Sequence, residues 1–472
     1  MPPFISPSTR LKLRHGERRV LLMAGDFSMA AFALLFALLL WAKADLYQNF
    51  SLDFIRRTPG WFFLLPVIWI VLISGLYKES RAADWGETLR TIGGVTVVGL
   101  VLYAMVYFFV EPKSLPRLGV ASFLAAVLSG TILWRFLYIK IFTAPQFMRR
   151  VLLVGGGETG QIMLRIIKEL PHPPYLMLGI IDDDPQKIGT RIEGQTVLGG
   201  SDKLLAAITQ CQATDLIVAI SGKMHGAMFQ TLLDAQEMGI QITRMPVAYE
   251  ELRRRVPIRY LEADWILRSF VDVTRGNLFY DLAKRSVDIF SALVGLLIII
   301  SLFPFIAIAI VIESGFPIFY TQVRLGRGGQ QYNIYKFRTM YQNAEPNGQP
   351  QWATENDRRT TKVGVILRKT HLDEFPQFVN VLRGEMSLIG PRAERPELVE
   401  WFQHHVPFYR ARLLVKPGIT GWAQVNQAYA STIEETMEKL EYDLYYIKHR
   451  GVWMDLQVAI RTPSMMLGLR GR

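Results

Sequence analysis

The chain has 472 residues, of which 50% are apolar and 20% are charged. Its mean hydropathy of +0.19 is high for a soluble protein, but the charged share is too large for a pure membrane bundle. We therefore expect a membrane part and a soluble part, in about three structural units. The apolar and aromatic content excludes intrinsic disorder, and the single cysteine, Cys211, excludes a disulfide scaffold and cysteine-rich metal sites.

The balance of charge is strongly basic, with a formal net charge of +12. Nucleic acid, acidic lipid and phosphorylated compounds are all partners that such a surplus attracts. The sequence contains no zinc-finger or basic-zipper motif, so we expect no nucleic-acid partner. The long apolar runs favour membrane lipid and phosphorylated compounds instead.

Four apolar runs, at 20–41, 61–77, 92–110 and 120–142, predict a four-helix transmembrane domain over 1–146. Each run has about 17–23 residues, the length that crosses a bilayer core of about 30 Å. Lys and Arg are concentrated before the first run, after the second and after the fourth, which predicts a cytoplasmic N-terminus. Asp26 lies inside the first run, where it is either a functional acid or an acid that snorkels to the membrane surface.

The next segment, 147–250, predicts a Rossmann-like cytoplasmic domain. A strand leads into the turn Gly155-Gly156-Gly157-Glu158-Thr159-Gly160 and then into an amphipathic helix, the context that a dinucleotide-binding turn requires. A second strand ends at Asp182, a candidate ribose-binding acid. Gly155, Gly157, Gly160 and Asp182 are thus candidate nucleotide ligands, although such glycines also serve tight helix–strand packing. The triplet Asp182-Asp183-Asp184 matches the D-x-D of glycosyltransferases as a weaker alternative.

A fifth apolar run covers 287–312 and is long enough to span a membrane. A full crossing would put the Arg-rich remainder outside the cell, away from intracellular phosphorylated compounds. Pro304 removes a backbone donor and disfavours helix at Phe303. We therefore favour a re-entrant helix-break-helix hairpin over about 286–312, with an ordinary kinked span as the alternative. A linker is expected over 251–280 and a catalytic domain over 281–472.

Four clusters of cationic, acidic and turn-forming residues follow within about 90 residues. They are Lys336-Phe337-Arg338-Thr339-Met340, Arg368-Lys369-Thr370-His371-Leu372-Asp373-Glu374, Met386-Ser387-Leu388-Ile389-Gly390-Pro391-Arg392 and Lys416-Pro417-Gly418-Ile419-Thr420-Gly421-Trp422. Arg and Lys neutralise phosphate, and a carboxylate either attacks phosphorus or holds magnesium. The clusters therefore indicate phosphoryl chemistry.

Asp373 and Glu374 are the only acidic pair in these clusters. Adjacent side chains on a helix diverge by about 100°, so two separate roles are more natural than a shared proton. One carboxylate could act as a nucleophile and the other as a magnesium ligand. The alternative is an acidic pair that only stabilises a helix N-terminus.

This part of the chain resembles the bacterial polyprenyl-phosphate sugar-1-phosphate transferases. The matching runs are Lys284-Arg285-Ser286-Val287-Asp288, Lys336-Phe337-Arg338-Thr339-Met340, Leu372-Asp373-Glu374-Phe375-Pro376-Gln377, Asn380-Val381-Leu382-Arg383-Gly384-Glu385-Met386-Ser387, Gly390-Pro391-Arg392 and Lys416-Pro417-Gly418-Ile419-Thr420-Gly421-Trp422-Ala423-Gln424-Val425-Asn426. The four spans and the Rossmann-like domain are similar to those of the long-form members. The resemblance therefore extends over nearly the whole chain.

The resemblance implies that a sugar-1-phosphate moves from a UDP-sugar to undecaprenyl phosphate, with release of UMP. UDP-glucose and UDP-galactose are the foremost donors, and N-acetylated sugars are the alternative. Asp373 would be the nucleophile of a covalent phosphosugar intermediate, and Glu374 would bind Mg²⁺. The implied phosphate-binding residues are Lys336, Arg338, Arg368 and Arg392, and the implied site-shaping residues are Pro391 and Pro304.

The same resemblance implies a multi-pass protein of the bacterial inner membrane with a cytoplasmic catalytic domain, in contact with membrane lipid. A homodimer through the spans and the middle domain is a further expectation. Two other functions remain as alternatives. A membrane sugar-nucleotide dehydratase would use a Tyr-x-x-x-Lys pair such as Tyr332 and Lys336, but no second Gly-rich turn precedes it. A non-enzymatic scaffold or sensor of polysaccharide assembly would not need the Asp373-Glu374 pair.

Overall fold

The structure is a computed structural model that describes residues 15–44, 50–73, 77, 85–109, 117–142, 148–170, 173–222, 224–261, 278–341, 359–427 and 432–466. The chain forms two compact units, one ending at Leu252 and the other beginning at Arg253. The mixed helical and α/β class predicted from the sequence is confirmed. The finer division into four segments stays a prediction.

Apolar helices begin the first unit. They are α1 (His15–Ala44), α2 (Leu52–Arg57), α3 (Leu65–Leu72), α4 (Trp85–Phe109) and α5 (Arg117–Phe142), with a 3₁₀ turn at Gly60–Leu64. Among the described residues, Val20–Ala44 and Leu118–Ile141 are long and apolar enough to cross a membrane. Gly60–Leu72 and Thr88–Val101 are shorter apolar helices. Within the described ranges, two of the four predicted spans are thus both long and apolar enough to cross, and the four-helix bundle stays a prediction.

A fully buried ion pair joins α1 to α5. Arg135 Nη2 donates to Asp26 Oδ2 at 2.5 Å, and Arg135 Nε donates to Oδ1 at 3.3 Å. Both side chains have no exposed surface. Asp26 therefore does not snorkel to the membrane surface. Arg135 balances its charge between α1 and α5, as a buried carboxylate requires for stability.

The rest of the first unit is an α/β domain. Its strands are β1 (Arg149–Val154), β2 (Tyr175–Ile181), β3 (Arg191–Ile192), β4 (Gln195–Gly199), β5 (Asp215–Val218) and β6 (Gln241–Arg244). Its helices are α6 (Glu158–Glu169), α7 (Leu204–Cys211), α8 (Gly226–Glu237) and α9 (Met245–Arg253). The sheet order is β3-β4-β2-β1-β5-β6, parallel except for the β3–β4 pair. The central strands are apolar and buried, as expected of a parallel sheet with helical crossovers.

The second unit is built around one long helix and short strands. Its helices are α10 (Leu278–Ser314), α11 (Lys362–Lys369), α12 (Phe378–Arg383), α13 (Pro396–His405), α14 (Trp422–Asn426), α15 (Ile433–Lys448) and α16 (Val452–Met466). Its strands are the antiparallel hairpin β7 (Phe319–Leu325) and β8 (Gln331–Phe337), and the parallel pair β9 (Ser387–Ile389) and β10 (Gly418–Thr420). Val256 and Ile258, within the predicted linker, pack into the core beside Trp422.

Helix α10 continues through Pro304 as a single helical segment, so the predicted interruption at Phe303 is not seen. One side of the helix packs into the unit. A Cβ on Gly295 would lie 2.3 Å from the ring of Phe378, so only glycine allows this approach. Phe303 stacks on Phe319, with ring centroids 5.8 Å apart. The other side of α10 is a continuous exposed apolar face.

Candidate active site

The β7–β8 hairpin presents Lys336, the one lysine among the predicted phosphate-binding residues. Side chains alternate between the two faces of a strand, so Tyr332, Ile334 and Lys336 of β8 share one face. Tyr332 and Ile334 are buried against α12 and the segment after β9. Lys336 continues this face to the end of the strand, where it meets the acidic pair.

A 3₁₀ helix, Leu372–Gln377, carries that pair. His371, just before it, has a left-handed backbone with φ of 56°, a conformation that non-glycine residues adopt only under local constraint. The backbone N–H of Glu374 donates to the carbonyl of His371 at 3.2 Å. This tight turn buries both acids, and Asp373 and Glu374 each keep only 8% of their surface exposed.

Glu374 forms two ion pairs. Its Oε1 accepts from Lys336 Nζ at 2.7 Å and from Arg392 Nη2 at 2.6 Å. Burial alone would raise the pKa of Glu374, but Arg392 and Lys336 together outweigh it and lower the pKa well below its ordinary value. Burial also lowers the pKa of Lys336, and Glu374 opposes this shift. Glu374 is therefore stabilised as a carboxylate, and it holds two cations in place.

Asp373 differs electrostatically from its neighbour. Burial raises its pKa, and the charge of Glu374 adds to this effect, while Lys336, Arg392 and Arg368 act in the opposite direction without cancelling it. A carboxylate whose ionisation is costly is more reactive than one that is fully stabilised. The two adjacent acids are thus suited to different tasks.

Arg368 and Arg338, both expected to bind phosphate, lie in different surroundings. Arg368 of α11 donates from Nε to Thr339 Oγ1 at 2.9 Å and from Nη1 to Thr360 Oγ1 at 3.2 Å. Arg338 is 7% exposed and donates from Nη2 to Ser314 Oγ at 2.8 Å and to the carbonyl of Gly315, just after α10. Arg368 contributes to the charge around Asp373, whereas the observed bonds of Arg338 hold the end of α10.

Pro391 and Arg392 lie in a turn after β9 that backbone contacts hold tightly. Gly418 N donates to the carbonyl of Pro391 at 2.9 Å. A Cβ on Gly418 would lie 2.1 Å from the nitrogen of Gly390, so this approach requires glycine. The carbonyl of Arg392 also accepts from Arg412 Nη2 at 2.9 Å. The turn therefore aims the guanidinium of Arg392 at Glu374.

The glycine turn of the first unit forms as predicted between β1 and α6. Gly155 has φ of 102°, and a Cβ on Gly160 would lie 2.1 Å from the carbonyl oxygen of Gly155, so both glycines serve packing. The N–H of Gly156 donates to Asp182 Oδ2 at 2.6 Å, and Lys187 Nζ lies 3.2 Å from the same oxygen. The Asp182 carboxylate is thus bound within the protein, and nucleotide binding through Gly157 and Asp182 stays a prediction.

Several residues near the site had no assigned role in the sequence. Arg324 lies opposite Tyr332 in the backbone register of the hairpin, and Gln377 follows Glu374 by one 3₁₀ turn. Arg412 and Glu394 form a buried network behind Arg392. The run Gln-Val-Arg-Leu-Gly after α10, with a charge inside an alternating strand, is the signal that could have identified Arg324.

Comparison with known proteins identifies the family. Residues 279–468 match the family model of bacterial sugar transferases, and residues 72–246 match the model of a CoA-binding domain. A UDP-glucose:undecaprenyl-phosphate glucose-1-phosphate transferase of Xanthomonas campestris pv. campestris is 39% identical over 83% of this chain and 83% of its own length. The chain belongs to the bacterial undecaprenyl-phosphate sugar-1-phosphate transferases.

Two further relatives of this transferase carry different sugar names. A galactosyl transferase of Streptococcus agalactiae serotype III is 35% identical over 89% of this chain and 97% of its own length. An N-acetylgalactosaminephosphotransferase of Aeromonas hydrophila is 44% identical, but this match spans only 40% of the chain and 44% of that relative. The relatives therefore agree on the transferase family and differ in the sugar.

Proposed function

We propose that this protein transfers a sugar-1-phosphate from a UDP-sugar to undecaprenyl phosphate and releases UMP. The observation that carries the proposal is the pairing of Glu374 with Lys336 and Arg392 beside the buried Asp373. Lys336 and Arg392 are fixed next to Asp373, whose ionisation is made costly by burial. Such an arrangement suits attack by a carboxylate on a diphosphate, because the cations stabilise the charge of the phosphates. The Xanthomonas relative favours glucose as the sugar, and the streptococcal relative favours galactose.

The reaction divides into two displacements at phosphorus. A carboxylate oxygen of Asp373 attacks the sugar-bearing phosphorus, the bond to the bridging oxygen breaks, and its electron pair leaves with UMP. A phosphate oxygen of undecaprenyl phosphate then attacks the same phosphorus, and the bond to Asp373 breaks to restore the carboxylate. One diphosphate bond is replaced by another, so no oxidant, reductant or further energy source is needed.

Magnesium is the expected cofactor. The acidic pair fits an ion that takes only one or two ligands from the protein. Among the residues that the structure describes, no group of three or more His, Cys, Asp or Glu side chains is arranged to hold a metal. Mg²⁺ commonly binds through one or two carboxylates together with substrate phosphates and water. Glu374 retains lone pairs for such an ion, which would neutralise charge on the diphosphate.

A re-entrant arrangement of α10 is supported by contacts at both of its ends. Near the start, Lys284 Nζ donates to Asp455 Oδ2 at 2.9 Å. At the end, Glu313 Oε1 and Oε2 accept from the backbone N–H groups of Lys362 and Val363 at 2.6 and 2.8 Å. The predicted break at Pro304 is not seen, so this inference rests on the contacts at the two ends and not on a kink. Because one compact unit contacts both ends of α10, we infer that the helix does not cross the membrane and that both ends lie on the cytoplasmic face.

Cysteine labelling tests this topology. In a Cys211→Ser background, Asp281→Cys before the apolar part of α10 and Thr321→Cys after it should both react with an impermeant maleimide only after cells are permeabilised. Asp53→Cys, in the loop predicted to face outward, should react in intact cells and serves as the control. Labelling of only one of the two α10 positions from outside would mean that the helix crosses the membrane.

The transfer itself is tested with detergent-solubilised full-length protein, undecaprenyl phosphate and a panel of UDP-sugars. We expect UMP release from one donor, dependent on the lipid for turnover and lost on chelation of magnesium. The donor that responds identifies the sugar. Absence of UMP release from every donor by folded protein would contradict the proposal and favour a non-enzymatic scaffold. A homodimer stays a prediction that this experiment does not address.

A further inference from the structure

A small cavity lies next to the Glu374 ion pairs, on the other side of its two cations. Its polar lining is Arg324, Lys336, Gln377 and Arg392, and its remaining walls are Ile334, Met386, Ala393 and Gly418. Three of these side chains are cationic and none is acidic. Lys336 and Arg392 therefore border Glu374 and the cavity at the same time.

Buried polar atoms around this cavity have no hydrogen-bond partner in the part of the chain that the structure describes. They are Arg324 Nε and Gln377 Nε2, both of which belong to cavity-lining residues, and the hydroxyl of Tyr332, which lies opposite Arg324 in the hairpin. Gln377 is 3% exposed. Leaving a buried donor unsatisfied is costly, so each such group needs an explanation, such as a bound ligand or water.

The position of Gln377 connects the cavity to the acidic pair. A 3₁₀ helix has three residues per turn, so side chains three positions apart lie on the same face. Gln377 is three residues after Glu374 in this helix and thus points to the same side. The guanidinium of Arg324 is held by its own strand, since its Nη2 donates to Gln322 Oε1 at 2.8 Å.

We propose that this cavity is a binding site for a phosphate monoester, formed by Arg324 and Gln377 together with Lys336 and Arg392. The donors are suited to phosphate oxygens, because the lining offers N–H groups but no carboxylate to accept from sugar hydroxyls. The acids that face the same cations, Glu374 and Glu394, are outside the lining. The inference rests on the proposed function, in which two phosphate monoesters visit the site. UMP leaves with the electron pair of the broken bond, and undecaprenyl phosphate later enters.

Binding of UMP and uridine tests the proposal without relying on turnover. Full-length wild-type protein should bind UMP more tightly than uridine, which lacks the phosphate. Arg324→Gln should weaken UMP binding about 10- to 100-fold, the usual range for a hydrogen bond to a charged group, and should leave uridine binding unchanged. Arg327→Gln removes an exposed charge from the same hairpin and is the matched control.

Gln377→Leu provides a second variant of similar size, in case Arg324→Gln fails to fold. Farnesyl phosphate, a short acceptor analogue, distinguishes the two sources of phosphate: competition with UMP supports a shared site, and lack of competition supports a site for UMP alone. An unchanged preference for UMP over uridine in both variants would mean that the cavity holds only solvent. Wild-type binding without any transfer would contradict the proposed function and leave this site standing.

Discussion

Asp373→Asn is expected to abolish sugar-phosphate transfer, with a loss of roughly 10³-fold or more in rate, as for other removed nucleophiles. The amide keeps the shape of the carboxyl group but has no anionic oxygen to attack phosphorus. Formation of the covalent phosphosugar should therefore be lost together with UMP release. Mass spectrometry of protein incubated with the donor sugar, without lipid acceptor, measures the covalent product directly.

The same variant should not be less stable than the wild type. Burial raises the pKa of Asp373 in the folded protein above the value of the unfolded chain, so the folded state binds more protons. Stability therefore falls as pH rises from the pKa of the unfolded chain through the higher pKa of the folded protein, because ionising the buried acid is costly. Asparagine removes that cost, and we expect an unfolding temperature at neutral pH equal to or above that of the wild type.

Glu374→Gln is the informative comparison. It leaves Lys336 and Arg392 without their shared counter-charge, so we expect a lower unfolding temperature in addition to reduced activity. A covalent adduct that persists in Asp373→Asn and disappears in Glu374→Gln would exchange the roles of the two acids. An adduct in both variants would exclude both Asp373 and Glu374 as the nucleophile.

Much of this architecture follows from local sequence. The strand–turn–helix pattern predicted the α/β domain, since buried apolar strands and a glycine turn are short-range signals. The clusters around Lys336, Asp373 and Arg392 predicted that cations and acids would meet.

Other features depend on partners that are distant in sequence. Asp26 offered two interpretations, and neither included Arg135, which follows it by 109 residues. Pro304 predicted a break, but packing of Phe303 on the hairpin accompanies a continuous helix. Arg338 was expected to bind phosphate, yet its observed hydrogen bonds are to the end of α10. Tertiary contacts of this kind override local propensity and leave no periodic signal.

Arg412→Ala should lower the free energy of unfolding of the second unit by about 3–5 kcal/mol, because it breaks a buried charge network. Arg412 Nη2 donates to Asp443 Oδ2 at 2.9 Å, and Nη1 donates to the Tyr409 hydroxyl at 2.7 Å and lies 3.4 Å from Glu394. Arg412 is 3% exposed and Asp443 is 1% exposed at the side chain, so water cannot replace the lost partner. Thermal unfolding of full-length protein measures the loss, and Arg410→Ala, an exposed neighbour, should change stability by no more than about 0.5 kcal/mol.

The pH dependence of this loss separates lost charge pairing from lost packing. Burial already raises the pKa of Asp443, and Arg412 partly opposes that shift. Without Arg412 the pKa of Asp443 rises further. The free energy of unfolding of the variant therefore falls more steeply as pH increases, because ionising the buried acid without its partner is costly. The deficit should therefore be smaller at pH 5 than at pH 8, whereas a packing defect alone would give the same deficit at both. Because Arg412 also holds the carbonyl of Arg392, the folded variant should transfer sugar-phosphate more slowly even where its stability recovers.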